Sequence, residues 1–262
     1  MIHPTAIINP AARIDEGVEI GPYCVIDGDV EIKRGTVLMS HVVVGDGARI
    51  GADVRIHPNA VIATAPQDLK YLGEPTLAII GDRTTIRECV TINRGTVSSG
   101  KAQVGSDCLL MAYVHVAHDC VVGDHVIMAN SVQLGGHVEV GDWAIVGGAT
   151  GVHQFCRIGA HSMIGACSRV VKDVSPFTLC GKEPLVVESI NAVGLKRRGF
   201  TPATIEAIDE FYTVLLRSGL NTSDGLARYE ETHPTIDPAV QMCIDFVRGS
   251  KRGIYRGATH RS

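Results

Sequence analysis

Aromatic residues are scarce, at 5% of 262 residues, against a hydrophobic share of 45%. The core must therefore be built from Val, Ile, Ala and Cys, which points to many thin layers rather than one thick one. Basic charge is not in excess either. With 24 Lys and Arg against 28 Asp and Glu, the chain carries no general footprint for nucleic acid. No run of about 18 apolar residues occurs, so no stable membrane insertion is expected. The opening MIHPTAIINP has neither a basic stretch nor a long apolar one, so no secretory leader is expected. None of the eight Cys forms a C-x-x-C pair. A reduced, cytoplasmic setting with free thiols follows as the default.

What is present is a period of six. Aliphatic residues stand at Ile2, Ile8, Ile14 and every sixth position to Ile62, again at Ile80, Ile86 and Ile92, and again from Val104 to Val170. All share one phase. Four residues after each stands a small or β-branched residue, as at Cys24, Val30, Cys108, Val114 and Cys120. The small residue and the next aliphatic are two apart, so both point inward from a short strand. The three residues after the aliphatic turn a corner. Gly is frequent just after the aliphatic, at Gly21, Gly45, Gly105, Gly123 and Gly141, and is read as the bend. Three strands and three corners make a coil of about 18 residues, and coils stack through parallel strands about 4.8 Å apart. The period matches neither a helix nor simple alternation, so the fold expected is mainly β, a parallel β-helix. The repeat lapses in two places, at about 63–79 and 97–103, and the phase survives both. These are excursions from a rigid scaffold, where function is often carried.

The hexads stop near Val187. Two units are expected, a β-helix over 1–187 and a C-terminal α-helical domain over 188–262. Thr201 caps and Pro202 starts a helix with an inward stripe of Ile205, Ile208, Phe211, Tyr212 and Leu215, ending near Gly219. A shorter helix from Ser223–Asp224 to Tyr229 follows, and a third opens at Pro238. The segment is locally basic.

Most of the eleven His are single corner residues, among them His3, His41, His57, His125 and His161, and these are expected to be merely exposed. His115, His118, His137 and His153 are different. Val116, Leu134 and Val152 are 18 apart and stack in one column. His118 and Asp119 then share a corner with Gly136 and His137 one coil on, and with His153 and Gln154 on the next. His115 points outward on the strand entering that corner. An imidazole suits general-base work. A neighbouring carboxylate fixes its tautomer, and Gly136 leaves a backbone N–H approachable for an oxyanion. No Ser or Cys is paired with the imidazole as a nucleophile. Three readings stay open on residues alone, namely acyl transfer by a His base, a His-rich metal site like that of carbonic-anhydrase-like hexapeptide proteins, and plain exposed corners.

The strings QDLKYLGEPT (67–76), IGDRTTIRECVTINRGT (80–96), HVAHDC (115–120), GGHVEVGD (135–142), GVHQFCRIGAH (151–161) and GLKRRGF (194–200) resemble the UDP-N-acetylglucosamine O-acyltransferase family of lipid A biosynthesis. The likeness spans essentially the whole chain. It implies a left-handed β-helix and transfer of an (R)-3-hydroxyacyl group from acyl carrier protein to the glucosamine 3-hydroxyl, without cofactor or metal. It implies His118 as general base, Asp119 as its partner and the Gly136 N–H as oxyanion donor. His115, His137, His153 and Gln154 would line the sugar and acyl site, with Asp68 and Lys70 reaching substrate from the first loop. Asn191, Arg197 and Arg198 would lie at the nucleotide end, and Ala166 in the acyl-length ruler. The family's homotrimer, with sites between subunits, is implied too. Ala166 stands where some members have Gly, which suggests a shorter chain. Val193 stands where some have an acidic residue. Some relatives use a 3-amino sugar as acceptor and form an amide, and that acceptor stays open on residues alone.

Overall fold

The computed structural model describes residues 1–257; the last five residues of the expected 188–262 segment lie outside the described residues. Two-residue strands recur every six positions and assemble into three parallel sheets, the faces of a triangular prism. The first face runs from Ile7–Ile8 to Arg169–Val170 in nine strands, and the second from Arg13–Ile14 to Arg157–Ile158 in eight. The third starts at Glu19–Ile20 and ends with Thr178–Gly181 and an antiparallel strand, Val186–Ile190. The expected boundary at residue 187 falls inside that last strand.

The aliphatic and small positions point inward and are buried, as with Ile26, Val30, Ile32, Val116, Cys120 and Val122. Among the described residues the prism core holds only one aromatic side chain, Tyr255, at its C-terminal end. Phe177 and Phe211, the bulkiest fully buried residues, pack instead in the helical cluster. The paucity of aromatics thus reflects the narrow bore of the prism.

The bend is not where those glycines are, although Gly17, Gly35 and Gly47 do occupy it. The left-handed backbone conformation falls two residues later, at Tyr23, His41, Asp119, His137, Trp143, Phe155 and their equivalents, with φ near +60°. Such a conformation costs a non-glycine residue about 1–2 kcal/mol. Stacking along the prism edges offsets part of that cost. The rings of His125 and Trp143 stack at 4.0 Å, those of His137 and Phe155 at 4.5 Å, and those of His161 and Phe177 at 5.3 Å. His125 and His161 are therefore part of an edge stack rather than merely exposed corners. The glycines serve the stacking of coils. A Cβ at Gly21 would lie 2.8 Å from the Met39 carbonyl, and one at Gly105 would lie 2.5 Å from the Gly123 oxygen.

Four helices follow the prism. The first, α1 (Ala192–Arg197), is short and was not expected from the pattern; the Asn191 side chain caps it by accepting from Gly194 N. The others are α2 (Pro202–Arg217), α3 (Thr222–Thr232) and α4 (Pro238–Arg248). The predicted stripe of α2 is buried, with Leu195, Val240 and Ile244 against it. α3 is longer than expected because Asn221, ahead of Ser223, supplies the cap. The chain then returns to the prism, where Ile254 bridges Asp173 and Gly257 bridges Val187. No helix among the described residues is long and apolar enough to cross a membrane.

Candidate active site

Register explains the convergence. On the first face, Ile62 pairs with Ile92, Ile92 with Val116, Val116 with Leu134, and Leu134 with Val152. The corner that follows this column is therefore shared by five coils. Both loops leave the prism there, after Ile62 and after Ile92. His118, Asp119, Gly136, His137, Gln154 and Phe155 sit at the same corner on the next three coils.

Asp119 is almost fully buried, at 4% exposure. Its carboxylate accepts from His118 Nδ1 at 2.8 Å, Thr96 N at 2.9 Å and Thr96 Oγ1 at 2.7 Å. The Ser99 hydroxyl is a fourth donor. Burial by itself pushes this carboxyl up. The hydrogen bonds from Ser99, His118 and Thr96 outweigh it and hold the pKa down at about 2. Asp119 is thus an anion, and His118 presents its N–H to it through Nδ1. That tautomer follows from the hydrogen-bond network and leaves Nε2 facing the corner of the next coil.

Gly136 stands there. A Cβ at this residue would lie 2.5 Å from His118 Cε1 and 2.6 Å from Nε2, so only glycine lets the imidazole occupy its place. Its N–H also lies outside the ladder. The first corner residue never enters the ladder, which is why Pro4, Pro10, Pro22 and Pro58 are tolerated at equivalent positions. At some equivalent corners a side chain of the next coil accepts from that N–H, while at others, such as Ala112, Asn130 and Gly148, it has no acceptor among the described residues. Ser106 N donates to Asp124 at 2.7 Å and Asp124 N to Asp142 at 2.9 Å. Among the described residues nothing accepts from Gly136 N, and Gln154 stacks below it. A free backbone donor therefore lies beside the imidazole.

A groove of about 570 Å³ opens over these atoms. His115, His118, Gly136, His153 and Gln154 line it, together with Gln67 from the first loop. The His115 ring meets the Thr91 hydroxyl at 2.7 Å. Burial, then the nearby His118, lowers the pKa of His115, which makes it a neutral hydrogen-bonding group. His137 is not among the residues that line the groove; it stands edge-on to His118 at 5.2 Å and stacks on Phe155.

Other expected residues stand elsewhere. Asp68 and Lys70 are in the first loop, where Asp68 accepts from Lys70 N at 3.0 Å; neither lines this groove. Asn191 is buried and donates to the His161 carbonyl at 2.9 Å. Arg198 lies on another prism edge, its guanidinium 5.2 Å over the Trp143 ring. Arg197 and Val193 are exposed on α1, and Ala166 is exposed on the edge between the third and first faces. Thr96 and Ser99, which hold Asp119, were missed. The column count could have found them, because the loop after Ile92 must emerge one coil before His118.

His118, Asp119 and His137 also form a cluster of metal-ligand type. The donor set argues against a cation. The carboxylate has about four lone-pair sites, and four hydrogen-bond donors already fill them.

Comparison with known proteins bears on the same residues. Residues 173–255 match the family model described as UDP-N-acetylglucosamine O-acyltransferase, domain 2. Residues 101–136 match the bacterial transferase hexapeptide model, and 1–102 match a model described as the GMPPB C-terminal domain. The chain is 48% identical over 260 residues to the acyl-[acyl-carrier-protein]–UDP-N-acetylglucosamine O-acyltransferase of Janthinobacterium sp. (strain Marseille), covering 98% of this chain and 99% of that one. The solved UDP-N-acetylglucosamine acyltransferase of Bacteroides fragilis superposes with a TM-score of 0.95 at 44% identity, covering 98% of this chain and 100% of that one. The corresponding enzyme of Francisella novicida gives 0.95 at 40% identity, with 99% and 95% covered. The fold class is the left-handed parallel β-helix with C-terminal helices.

Proposed function

This chain belongs to the UDP-N-acetylglucosamine O-acyltransferase family, and on that premise we propose how its groove performs the reaction. The enzyme moves an acyl chain from acyl carrier protein to UDP-N-acetylglucosamine, the first step of lipid A biosynthesis. The reading is of (R)-3-hydroxyacyl transfer to the sugar 3-hydroxyl. His118 Nε2 takes the hydroxyl proton as the oxygen attacks the thioester carbonyl. Asp119 stabilises the imidazolium that forms, and the Gly136 N–H receives the oxyanion. Collapse expels the carrier thiolate, which takes the proton back from His118. A positioned base supplies about 10²–10⁴-fold, and an oxyanion donor acts where charge develops. No cofactor enters this sequence.

The observation that carries this reading is the pairing of His118 Nδ1 with a buried, fully hydrogen-bonded Asp119 while Nε2 faces the free Gly136 N–H. His115, His137, His153 and Gln154 are read as sugar and acyl contacts. Asp68, Lys70, Asn191, Arg197 and Arg198 lie outside the groove of their own chain, which suits a homotrimer in which they serve a neighbour's site. Leu69 and Leu72 support this. They are fully or nearly fully exposed, at 105% and 89%, on the loop beside the groove. Ala166 is the candidate for the acyl-length ruler. Eight free thiols support a cytoplasmic setting. The test is product mass spectrometry with UDP-N-acetylglucosamine and a panel of hydroxyacyl carrier proteins. The expected product is an O-acylated sugar nucleotide from the parent and none from His118→Ala. Near-parental turnover by His118→Ala would defeat the mechanism.

A further inference from the structure

The first loop leaves the prism at the end of Val61–Thr64, on the first face, and returns at Leu77–Ile80, on the second. It carries Gln67, which lines the catalytic groove, and beside it Asp68 and Lys70. Holding such a loop in one arrangement is costly in entropy. Its internal bonds shape it but do not place it. Tyr71 N donates to the Asp68 carbonyl at 3.0 Å, and Leu72 N to Glu74 Oε2 at 3.0 Å. Among the described residues only one hydrogen bond ties the stretch 66–75 to the prism. Arg94 Nη2 donates to the Tyr71 hydroxyl at 2.9 Å, and that hydroxyl donates on to the Glu74 carbonyl at 2.8 Å.

Arg94 makes this anchor without a carboxylate partner among the described residues. Elsewhere on the prism Arg13, Arg49, Arg83, Arg87 and Arg157 all pair with Asp or Glu. Arg94 instead spans two neutral oxygens, with Nη1 donating to the Asp46 carbonyl at 2.7 Å and Nη2 to Tyr71. Its guanidinium lies 5.9 Å from the centre of the Tyr71 ring. Gly47 makes room for the side chain. Its backbone is left-handed, with φ of +86°, and a Cβ there would lie 2.9 Å from Arg94 Cδ and press on the Thr76 carbonyl oxygen. Asn93, the preceding residue, secures the root of the loop. Its Nδ2 donates to Thr64 Oγ1 at 2.8 Å and to the Ala65 carbonyl at 3.2 Å. Two residues beyond Arg94, Thr96 holds Asp119. One strand end therefore fixes the first loop on one side and the partner of the base on the other.

We propose that Arg94 is a positioning residue for the acceptor: by fixing Tyr71 it holds the first loop in the arrangement in which Gln67, Asp68 and Lys70 meet the sugar nucleotide. The planar guanidinium suits this role, because its fork grips the prism carbonyl and the loop hydroxyl at once in a set geometry. A loop that is competent only part of the time weakens apparent affinity by that fraction. The chemical step is not touched, since His118 and Asp119 are held by Thr96 and Ser99. The effect of Arg94 therefore falls on acceptor binding and not on turnover. The inference rests on the acyltransferase reading above.

The test uses the full chain and three variants, Tyr71→Phe, Arg94→Gln and the two combined. Tyr71→Phe keeps the ring and removes only the anchored hydroxyl. Its site lies outside the prism, so the coils stay intact even if Arg94→Gln disturbs them. Each single variant should raise the KM for UDP-N-acetylglucosamine by roughly 10-fold, equivalent to about 1.4 kcal/mol. The KM for the acyl carrier protein substrate and kcat at saturating sugar should stay within about threefold. The combined variant should be no worse than the poorer single one, because both changes remove the same bond. An acceptor KM for Tyr71→Phe within about twofold of the parent would overturn the proposal. Losses that multiply in the combined variant would overturn it too, as would a loss confined to kcat. A parent enzyme that forms no product would defeat the acyltransferase reading instead.

Discussion

Gly136→Ala is the sharpest probe of the catalytic corner. The added methyl would sit 2.5 Å from His118 Cε1, 2.6 Å from Nε2 and 3.2 Å from Nδ1. Ordinary carbon contacts lie at about 3.5–4.0 Å, so the ring must move by about 1 Å. The His118 side chain is only 13% exposed, yet it borders an open groove, so it can swing outward without breaking the prism. Doing so stretches the 2.8 Å bond to Asp119 and moves Nε2 away from the sugar hydroxyl. A misplacement of about 1 Å costs on the order of 10²-fold in rate. The loss should appear in kcat, with the KM for sugar nearly unchanged. Because the strain is relieved into the groove, the melting temperature should fall by less than about 2 °C, below the shift that 1 kcal/mol produces in a chain of this size. Steady-state kinetics with purified acyl carrier protein substrate, beside a thermal melt, reads both. Turnover within threefold of the parent would refute the geometry. So would a kcat loss matched by a large drop in melting temperature, which would show a coil that cannot relax.

Further outcomes follow from the same atoms. Ser99→Ala removes the first-named of the hydrogen bonds that hold the Asp119 pKa down. That pKa is depressed to about 2 from 3.8, so its stabilisation is present above pH 4 and is lost as pH falls toward 2. Ser99→Ala should therefore shift acid unfolding to higher pH, and an unchanged acid midpoint would count against the network. Past the last strand of the first face no further coil supplies ladder partners; the Tyr255 hydroxyl accepts from Val171 N at 2.8 Å and donates to the Arg169 carbonyl at 3.1 Å instead. Tyr255→Phe leaves Val171 N without its acceptor and should cost about 1–3 kcal/mol in urea denaturation. A loss below 0.5 kcal/mol would mean that the hydroxyl does not replace the missing coil. Activity should survive a chelator at millimolar concentration; loss restored by added zinc would favour a metal at His118, Asp119 and His137. Burial and then the Arg198 charge press His161 down to about 4, so its ring resonances should show no titration between pH 6 and 8 by NMR.

The six-residue period was legible because every inward position meets the same narrow bore. A constraint repeated along the whole prism leaves a periodic trace. The role of the glycines was misread because sequence shows a small residue without showing why it must be small. At Gly21 or Gly105 the cause is the next coil's backbone, while the bend falls on residues such as Asp119 and His137 that carry no visible mark of a left-handed conformation. α1 escaped notice because six residues with a central Gly194 show no stripe, although Asn191 as a cap was a signal. The clustering of His118, Asp119, Gly136 and Gln154 could be counted in steps of 18.

By itself the sequence determined the prism, its phase, the two excursions and the corner that holds the histidines. All of these follow from periodicity, and periodicity survives without knowledge of distances. Only the tertiary structure decided that Thr96 and Ser99 close on Asp119 and that Tyr255 returns from the chain's end to brace Arg169. Those contacts join residues 20 to 86 positions apart. They depend on where an irregular loop or tail comes to rest, which no repeat encodes.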